Sequence, residues 1–293
     1  MSGIIKNRQA CVLKPRLILV LALAILFMGA CTTLEEGMPA GDENWSFVVI
    51  GDVQQGYGVF GKLAKSIGNI SPVPCAAFSC GDIMLRAGNE VEWVNFHRYS
   101  SPITDKMPLY IARGNHDGND PASEEILREN MVHDGGHFYY SQRFNRAIFF
   151  ILDTEIRREE GSISGIQLSW LADQLDSAQA DPQLRDIFLI MHRPLFPQGF
   201  HRGSDLLNAD ALHALFLSHD KVRAVFAGHD HLFNKYSLDG LPYITSGGAG
   251  APLYHGYGGD YFHFVKVSFY EEARRINVKT IGLFNEVVED FDL

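Results

Sequence analysis

Six apolar segments within residues 45–227 place the strongest constraint on the fold of this chain. Each is five or six residues long, continuous rather than alternating, and rich in β-branched and aromatic residues. Such segments are typical of strands that are buried on both faces of a sheet. The predicted strands are Trp45–Ile50, Ala76–Cys80, Pro108–Ala112, Ala147–Leu152, Asp186–Met191 and Val222–Ala227.

Helical patterns lie between these strands. The clearest helix is Ser164–Ala178, in which leucines at spacings of three and four residues form an apolar stripe. Ser164 and Gln167 have the spacing of a capping box at its start. Strands that alternate with helices indicate a parallel or mixed sheet that helices cover on both faces. Further helices are predicted at Val59–Ile70, Val91–Ile103, Ser123–Met131 and Leu206–Ser218.

The carboxyl half of the chain adds four predicted strands, which we expect to form a second sheet in the same domain. The predicted fold class is therefore α/β, with two mixed sheets flanked by helices. The added strands are Phe138–Phe144, Leu241–Thr245, His263–Tyr270 and Arg275–Phe284.

The amino terminus has the pattern of an export signal. Four basic residues precede the apolar run Leu17–Met28, which is too short to span a bilayer, since a span requires about 20 apolar residues. Gly29 and Ala30 then precede Cys31, in a pattern that resembles a bacterial lipobox with Cys31 as the lipidated first residue. A simple signal peptide cleaved near Ala30 is the alternative interpretation.

These observations predict three parts: a lipoprotein-type signal peptide (1–30), a polar tether (31–44) and one folded domain (45–293). The lipid on Cys31 would hold the protein on a membrane of the bacterial cell envelope. Threonine rather than aspartate follows Cys31, as in lipoproteins sent to the outer membrane, so we expect the periplasmic face of that membrane.

Charge excludes one class of partner. Loss of residues 1–30 removes four basic residues and no acidic ones, so the net charge changes from −10 to −14. Affinity for nucleic-acid backbones comes mainly from Lys and Arg that meet phosphates. We therefore expect no binding along a nucleic-acid backbone, whereas a small anion drawn to a metal ion is compatible with this charge.

Five of the six apolar strands end in polar residues that bind metal ions. In an open α/β sheet, ligands bind outside the carboxyl ends of the strands, so we expect these side chains to meet in one crevice. Carboxylate and amide oxygens mixed with imidazoles suit Mn, Fe or Zn better than Ca. The strand ends are Gly51-Asp52-Val53-Gln54, Gly81-Asp82, Gly114-Asn115-His116-Asp117, His192 and Gly228-His229-Asp230-His231.

The order of these motifs resembles the calcineurin-like metallophosphoesterase superfamily. Its blocks are D-x-H, G-D, G-N-H-D or G-N-H-E, a single His, and G-H-x-H, and the resemblance covers Ser46 to about Gly250. It implies two mixed sheets packed face to face, with two divalent or trivalent metal ions between them. It also implies hydrolysis of a small phosphorylated substrate, a phosphomonoester or phosphodiester, by metal-activated hydroxide.

The resemblance assigns a role to each residue of the motifs. One ion would be held by Asp52, Gln54, Asp82 and His231. The other would share the bridging Asp82 and would also be held by Asn115, His192 and His229.

Four residues, among them the ligand Asn115, are given roles in catalysis or substrate binding. His116 corresponds to the general acid that protonates the leaving alcohol, and Asp117 would orient His116 by accepting its other ring proton. Arg86 and Asn115 would contact the phosphate, although a solvated charge is the alternative interpretation of Arg86.

The chain departs from the superfamily pattern at Gln54, where D-x-H has histidine. The side-chain oxygen of Gln54 is a weaker ligand than imidazole, so the first metal site should bind its ion less tightly. A protein that keeps the fold and binds metal or phosphoester without turnover is therefore the alternative function. A second departure is Leu85, which replaces the acidic partner of Arg86.

Several other residues keep two interpretations. His201 and His255 either line the crevice or lie on the surface, and Asp153 either holds the end of its strand or faces the crevice. The run Gly247–Gly250 lacks the residues of a P-loop and indicates tight backbone packing beside the site. Four aromatic residues either stack on a nucleoside or sugar ring or pack within loops: Tyr57, Phe60, Phe196 and Phe200.

Overall fold

The computed structural model describes residues 44–131, 136–204, 206–272 and 274–293. The predicted signal peptide, Cys31 and all of the predicted tether except its last residue lie outside the described residues. Among the helices that are described, none combines the length and the apolar character needed to cross a membrane.

Twelve strands and five helices are present in the described residues. The first half contains β1 (Asn44–Ile50), α1 (Tyr57–Gly68), β2 (Ala77–Ser79), α2 (Glu90–Thr104), β3 (Leu109–Ile111), α3 (Pro121–Asn130), β4 (Tyr140–Phe144) and β5 (Ala147–Ile151). The second half contains α4 (Gly165–Ala180), β6 (Asp186–Ile190), α5 (Ala209–Leu217), β7 (Val222–Ala227), β8 (Phe233–Leu238), β9 (Leu241–Ser246), β10 (His263–Tyr270), β11 (Arg275–Gly282) and β12 (Val287–Asp292).

These strands form two mixed sheets of six strands each. The first sheet has the order β12-β11-β10-β1-β2-β3, and the second has the order β4-β5-β6-β7-β9-β8. Strands β1, β2 and β3 are parallel to one another, as are β5, β6, β7 and β9. Each sheet therefore has a set of parallel strands whose carboxyl ends lie along one edge.

The two sheets pack face to face through an aromatic core. The ring of Phe47 in β1 lies 4.8 Å from that of Phe149 in β5 and 5.1 Å from that of Phe188 in β6. The alternate residues Val48 and Ile50 of β1 instead pack in the layer that contains α1 and α2. Burial on both faces explains why the strands read as continuous apolar runs, and the predicted α/β sandwich is confirmed.

The predicted elements agree closely with the structure. All six apolar strands are present with ends displaced by at most one residue, and the five predicted helices have ends displaced by at most three. Cys75 and Cys80 are free thiols, the first partly buried and the second buried.

The predicted membership of the second sheet is wrong. Strands β10 and β11 extend the first sheet, because β10 pairs antiparallel with β1 over the register Val48↔Lys266. Strands β4 and β9 belong to the sheet that contains β5, β6 and β7. Strand pairing is a long-range property, and apolar patterns alone do not distinguish one buried neighbour from another.

Two strands, β8 and β12, were not predicted. Both lie at sheet edges, and along each of them exposed or half-buried residues predominate. Continuous apolar runs mark strands that are buried on both faces, so strands with exposed residues on their faces lack this pattern.

The predicted capping box at the start of α4 is also wrong. The hydroxyl of Ser164 donates to the carboxylate of Glu159 and makes no bond to the backbone of the helix. The amide of Gln167 instead accepts from the backbone N–H of Asp153 and donates to its carbonyl, each at 2.8 Å. Gln167 therefore fixes the end of β5 rather than the start of α4.

A buried ion pair joins the ends of the two sheets. Arg113 follows β3, Asp153 follows β5, and both side chains are almost completely inaccessible to solvent. The guanidinium donates to both oxygens of Asp153, at 3.1 and 2.6 Å, and to Glu124 at 2.8 Å. Asp153 thus holds the end of its strand, which resolves the question left by the sequence.

We expect Arg113→Met to lower the free energy of unfolding by roughly 3 to 5 kcal/mol, because Asp153 would remain buried without its partner. Urea denaturation followed by circular dichroism measures this loss. The matched control is Arg143→Met, since Arg143 pairs with Asp181 at the surface, where a pair contributes at most about 1 kcal/mol. Equal losses for the two variants would contradict the structural role of Arg113.

Candidate metal centre

Unusual backbone conformations mark the strand ends that carry the predicted ligands. Asp52, Gln54, Asp82 and His229 have φ angles of 61°, 44°, 51° and 69°. The left-handed region is sparsely populated by non-glycine residues, and such strain concentrates at functional sites. The turn at each of these strand ends brings its side chain close to the other predicted ligands.

Glycines allow the strand ends to approach closely. A Cβ atom on Gly228 would overlap the Asp52 carboxylate, and one on Gly114 would overlap that of Asp82. The run 247–250 also packs against this site, as Ala249 donates its N–H to the Gly51 carbonyl at 2.9 Å. The interpretation of this run as tight backbone packing is confirmed.

The four predicted ligands of the first ion meet at one place. Ligand atoms of Asp52, Asp82 and His231 all lie within 4.8 Å of one another. Nε2 of Gln54 lies 3.3 Å from Oδ2 of Asp82 and 3.4 Å from Nε2 of His231. A half-turn of the Gln54 amide exchanges its nitrogen and oxygen, so that Oε1 can act as a ligand there.

The predicted ligands of the second ion converge on His192. Its Nε2 lies 2.8 Å from Oδ1 of Asn115, 3.1 Å from Nδ1 of His229 and 3.5 Å from Oδ1 of Asp82. Ligand atoms about 2.1 Å from a common ion, at angles of about 90° to 109°, lie roughly 3.0 to 3.4 Å apart. These spacings are therefore close to those of one coordination shell.

Asp82 lies between the two groups. Its Oδ2 faces Gln54, whereas its Oδ1 faces His192 and accepts the backbone N–H of His116 at 2.9 Å. A carboxylate whose two oxygens face different ligand groups has the geometry that a bridging ligand requires.

Backbone carbonyls fix the orientation of two of the histidines. Nδ1 of His192 lies 2.8 Å from the Cys80 carbonyl, and Nδ1 of His231 lies 2.9 Å from the Pro252 carbonyl. A carbonyl only accepts, so each Nδ1 carries the proton and each Nε2 keeps its lone pair. This arrangement is typical of metal-binding histidines.

The electrostatics of the site suit cations. Asp52 and Asp82 are 0% and 1% exposed, and burial, followed by the charge of Asp82, raises the pKa of Asp52. Burial, followed by His192, lowers the pKa of His229, and burial also lowers that of His231. Paired carboxylates beside neutral imidazoles form a donor set that metal ions stabilise, so these residues fit the predicted ions.

The predicted contact between Asp117 and the ring of His116 is wrong. Nδ1 of His116 lies 2.9 Å from the Leu85 carbonyl. The Asp117 carboxylate accepts the backbone N–H groups of Asp82, Met84 and Gly114 at 2.8 to 3.1 Å. Burial and the charge of Asp82 raise the pKa of Asp117 to about 8. Asp117 therefore organises the backbone that carries Asp82.

The structure separates the remaining candidates. His201 lines the site, because its ring stacks on that of His229 at a centroid distance of 3.9 Å. His255 is exposed and bonds to Asp260 at the surface. Arg86 is exposed and directly follows Leu85, whose carbonyl holds the ring of His116. Its contact with phosphate stays a prediction.

Two residues that support the site were not predicted from the sequence. Asp230, between the two histidines of G-H-x-H, accepts from N–H and Nδ1 of His201 and from N–H of Gly199. The ring of Tyr254 stacks on that of His231 at 4.4 Å. The position of Asp230 inside the motif was the one local indication, whereas the contact of Tyr254 arises only from folding.

We expect Asp82→Asn to lower the metal content more than Asn115→Ala does. Loss of the Asp82 charge weakens both ligand groups and leaves two cations to repel each other, whereas Asn115 is predicted to contact one ion. Elemental analysis of the purified variants measures the bound metal per chain. Equal loading of Asp82→Asn and the parent would show that Asp82 is not a bridge.

Comparison with known proteins agrees with this geometry. The family model of the calcineurin-like phosphoesterases matches residues 46–233. Purple acid phosphatase 23 of Arabidopsis thaliana is 24% identical over 224 residues, which are 69% of this chain and 46% of that protein. A probable cyclic nucleotide phosphodiesterase of Fibrobacter succinogenes is 28% identical over 173 residues, 56% of this chain and 63% of that protein.

A solved structure has the same fold. Purple acid phosphatase PPD1 from yellow lupin (Lupinus luteus) seeds superposes with a TM-score of 0.70 at 17% identity, covering 85% of this chain and 53% of the lupin chain. The chain thus spans about half the length of the purple acid phosphatases that it matches. On the family match over residues 46–233, the chain belongs to the calcineurin-like phosphoesterases, whose enzymes hydrolyse phosphoric esters with the help of metal ions.

Proposed function

We propose that this protein hydrolyses a small phosphomonoester or phosphodiester with two metal ions, Mn, Fe or Zn. The observation that carries the proposal is the pair of ligand groups on either side of the buried Asp82. The names of the matched relatives, a phosphatase and a phosphodiesterase, support ester hydrolysis without favouring either class. When bound, the two ions polarise the phosphoryl oxygens and activate water for attack on phosphorus.

The protein's own residues supply orientation and a proton. The Leu85 carbonyl holds Nδ1 of His116, which leaves Nε2 of the same ring to donate a proton to the leaving oxygen. Asn115 lies 2.8 Å from the ligand histidine His192, so its amide is within reach of a phosphate bound at the same place. Arg86 is exposed and follows Leu85, whose carbonyl holds His116, so the side chain of Arg86 can offer positive charge to that phosphate.

A non-catalytic protein that binds metal or phosphoester on the same fold is the alternative, because Gln54 replaces a histidine ligand. His116 favours the enzyme, since a protein that only binds its ligand has no use for a general acid. Assays of p-nitrophenol release from p-nitrophenyl mono- and diesters distinguish the two functions. Bound metal without turnover of either ester would favour the binding protein.

We expect His116→Ala to retain metal and to slow the hydrolysis of alkyl phosphates by roughly 10²- to 10⁴-fold, the usual contribution of a positioned general acid. The loss should be smaller for p-nitrophenyl phosphate, because p-nitrophenolate leaves without a proton. Steady-state kinetics on both ester types, with elemental analysis of each variant, measure this difference.

Asn119→Ala is a suitable control for His116→Ala, because Asn119 lies in the same loop between β3 and α3 and its side chain donates to Glu160 at the surface. It should leave the ratio of the two rates unchanged. Equal impairment of His116→Ala on p-nitrophenyl and alkyl phosphates would contradict the role of general acid.

We further propose that the enzyme acts as a lipoprotein, held by a lipid on Cys31 at the periplasmic face of the outer membrane. Cys31→Ser should yield a soluble protein or an unprocessed precursor, because serine cannot receive the thioether-linked lipid. Membrane fractionation and the apparent mass of the product measure the outcome. A Cys31→Ser protein of mature size in the membrane fraction would refute the lipid anchor.

A further inference from the structure

Three aromatic side chains form a continuous surface beside the metal centre, which we call the aromatic rim: Phe200, Tyr254 and Tyr257. The ring of Phe200 lies 4.8 Å from that of Tyr254 and 6.4 Å from that of Tyr257. Phe200 is 59% exposed and Tyr257 is 46% exposed. Clustered exposed aromatic surface next to a polar site is typical of ligand contact.

The aromatic rim is attached directly to the predicted metal ligands. The ring of Tyr254 stacks on His231, and the N–H of Tyr254 donates to the His231 carbonyl at 3.0 Å. On the other side, His201 stacks on His229 and lies 5.3 Å from the ring of Phe200. Two contacts between neighbouring rings therefore connect Phe200 to a metal ligand.

Hydrogen bonds hold the loop that carries Phe200. The buried carboxylate of Asp230 accepts the N–H of Gly199 and the N–H of His201, the residues on either side of Phe200, at 3.0 Å each. Asp230 itself lies between the ligands His229 and His231. The backbone beside Phe200 is thus fixed relative to the metal centre, as precise contact with a substrate requires.

The other aromatic candidates from the sequence are engaged in packing. Tyr57 stacks on Tyr99 at 5.6 Å, and Phe60 is buried against Phe96. Phe196 packs edge-on against Tyr243. Of the four candidates, Phe200 is the one whose ring remains largely open to solvent beside the site.

We propose that the aromatic rim binds a planar ring in the organic part of the substrate, so that the enzyme prefers phosphoesters of nucleosides or aryl groups to those of aliphatic alcohols. This inference rests on the proposed function and extends it to the substrate class. A flat π-system gains stacking energy on Phe200 and Tyr254, whereas an aliphatic group has no equivalent contact. On the side of Phe200, the polar ring of His201 lies between the rim and the predicted ligand His229.

The test compares substrates with and without a base. AMP and ribose 5-phosphate share the same ester and the same leaving hydroxyl, and only AMP carries a base. For diesterase activity, the methyl esters of the same two compounds, adenosine 5′-(methyl phosphate) and ribose 5-(methyl phosphate), differ in the same way. We expect kcat/KM to be at least about ten-fold higher for the member of each pair that carries a base.

Phe200→Ala should reduce this preference by about five- to ten-fold. The kcat/KM should fall for the substrates that carry a base and stay the same for those that lack one. Phe200→Trp should retain the preference, because it restores a ring at the same place. Phe284→Ala is the matched control, since Phe284 is also a highly exposed phenylalanine, in the turn between β11 and β12. A ratio of kcat/KM values near one in the parent would overturn the inference. An unchanged ratio in Phe200→Ala would overturn it as well.

Binding measurements separate this inference from the proposed hydrolysis. Calorimetry reports the contribution of the ring without turnover. AMP and ribose 5-phosphate serve if the protein does not hydrolyse them, and their phosphonate analogues, with a methylene in place of the ester oxygen, serve if it does. If neither ester class is hydrolysed but AMP binds more tightly and Phe200→Ala removes the difference, the proposed function fails and the aromatic rim stands. Equal binding of the two compounds by the parent would refute the rim, whatever the enzyme hydrolyses.

Discussion

The burial of Asp52 and Asp82 side by side is the constraint on which the rest of the site depends. Burial, together with the charge of Asp82, raises the pKa of Asp52, which reflects the free-energy cost of ionising two adjacent carboxylates away from water. Backbone N–H groups offset part of it, as His229 donates to Asp52 and His116 donates to Asp82. Burial lowers the pKa of His229 and of His231, which keeps these two imidazoles neutral, so cations are the remaining source of compensating charge.

The two sheets bring several strand ends to one place, and the predicted ligands of the compensating cations lie at these ends. The first sheet supplies both carboxylates and Asn115, and the second supplies His192 and the G-H-x-H segment. Neither sheet alone has a full set of ligands, so the site depends on how the sheets are held together. The aromatic core holds the two sheets together face to face. The ion pair of Arg113 with Asp153 joins the carboxyl ends of β3 and β5, close to the predicted ligands.

The parts of this structure that the sequence predicted are those set by local patterns. A strand buried on both faces reads as an apolar run, and polar residues directly after it must lie at its carboxyl end, so the seven predicted ligands were placed together. The sheet membership of β10, the acceptor of the His116 ring proton and the contact of Tyr254 with His231 depend on partners 23 to 226 residues away. No local pattern encodes such partners, although Asp117 next to His116 made a short-range contact a natural hypothesis.

At the proposed first metal site, glutamine in place of histidine would change the strength of metal binding without changing the charge of the site. The amide of glutamine and the imidazole that it replaces are both neutral, so Asp52 and Asp82 still define the charge that the ions must balance. The amide is the weaker donor, yet its left-handed backbone and its contacts with Asp82 and His231 keep it at the ligand position. The substitution would therefore affect how tightly one ion is held rather than which groups act on the ester. His116 and the ligand group around His192 do not include Gln54, so a weaker first site is compatible with an enzyme.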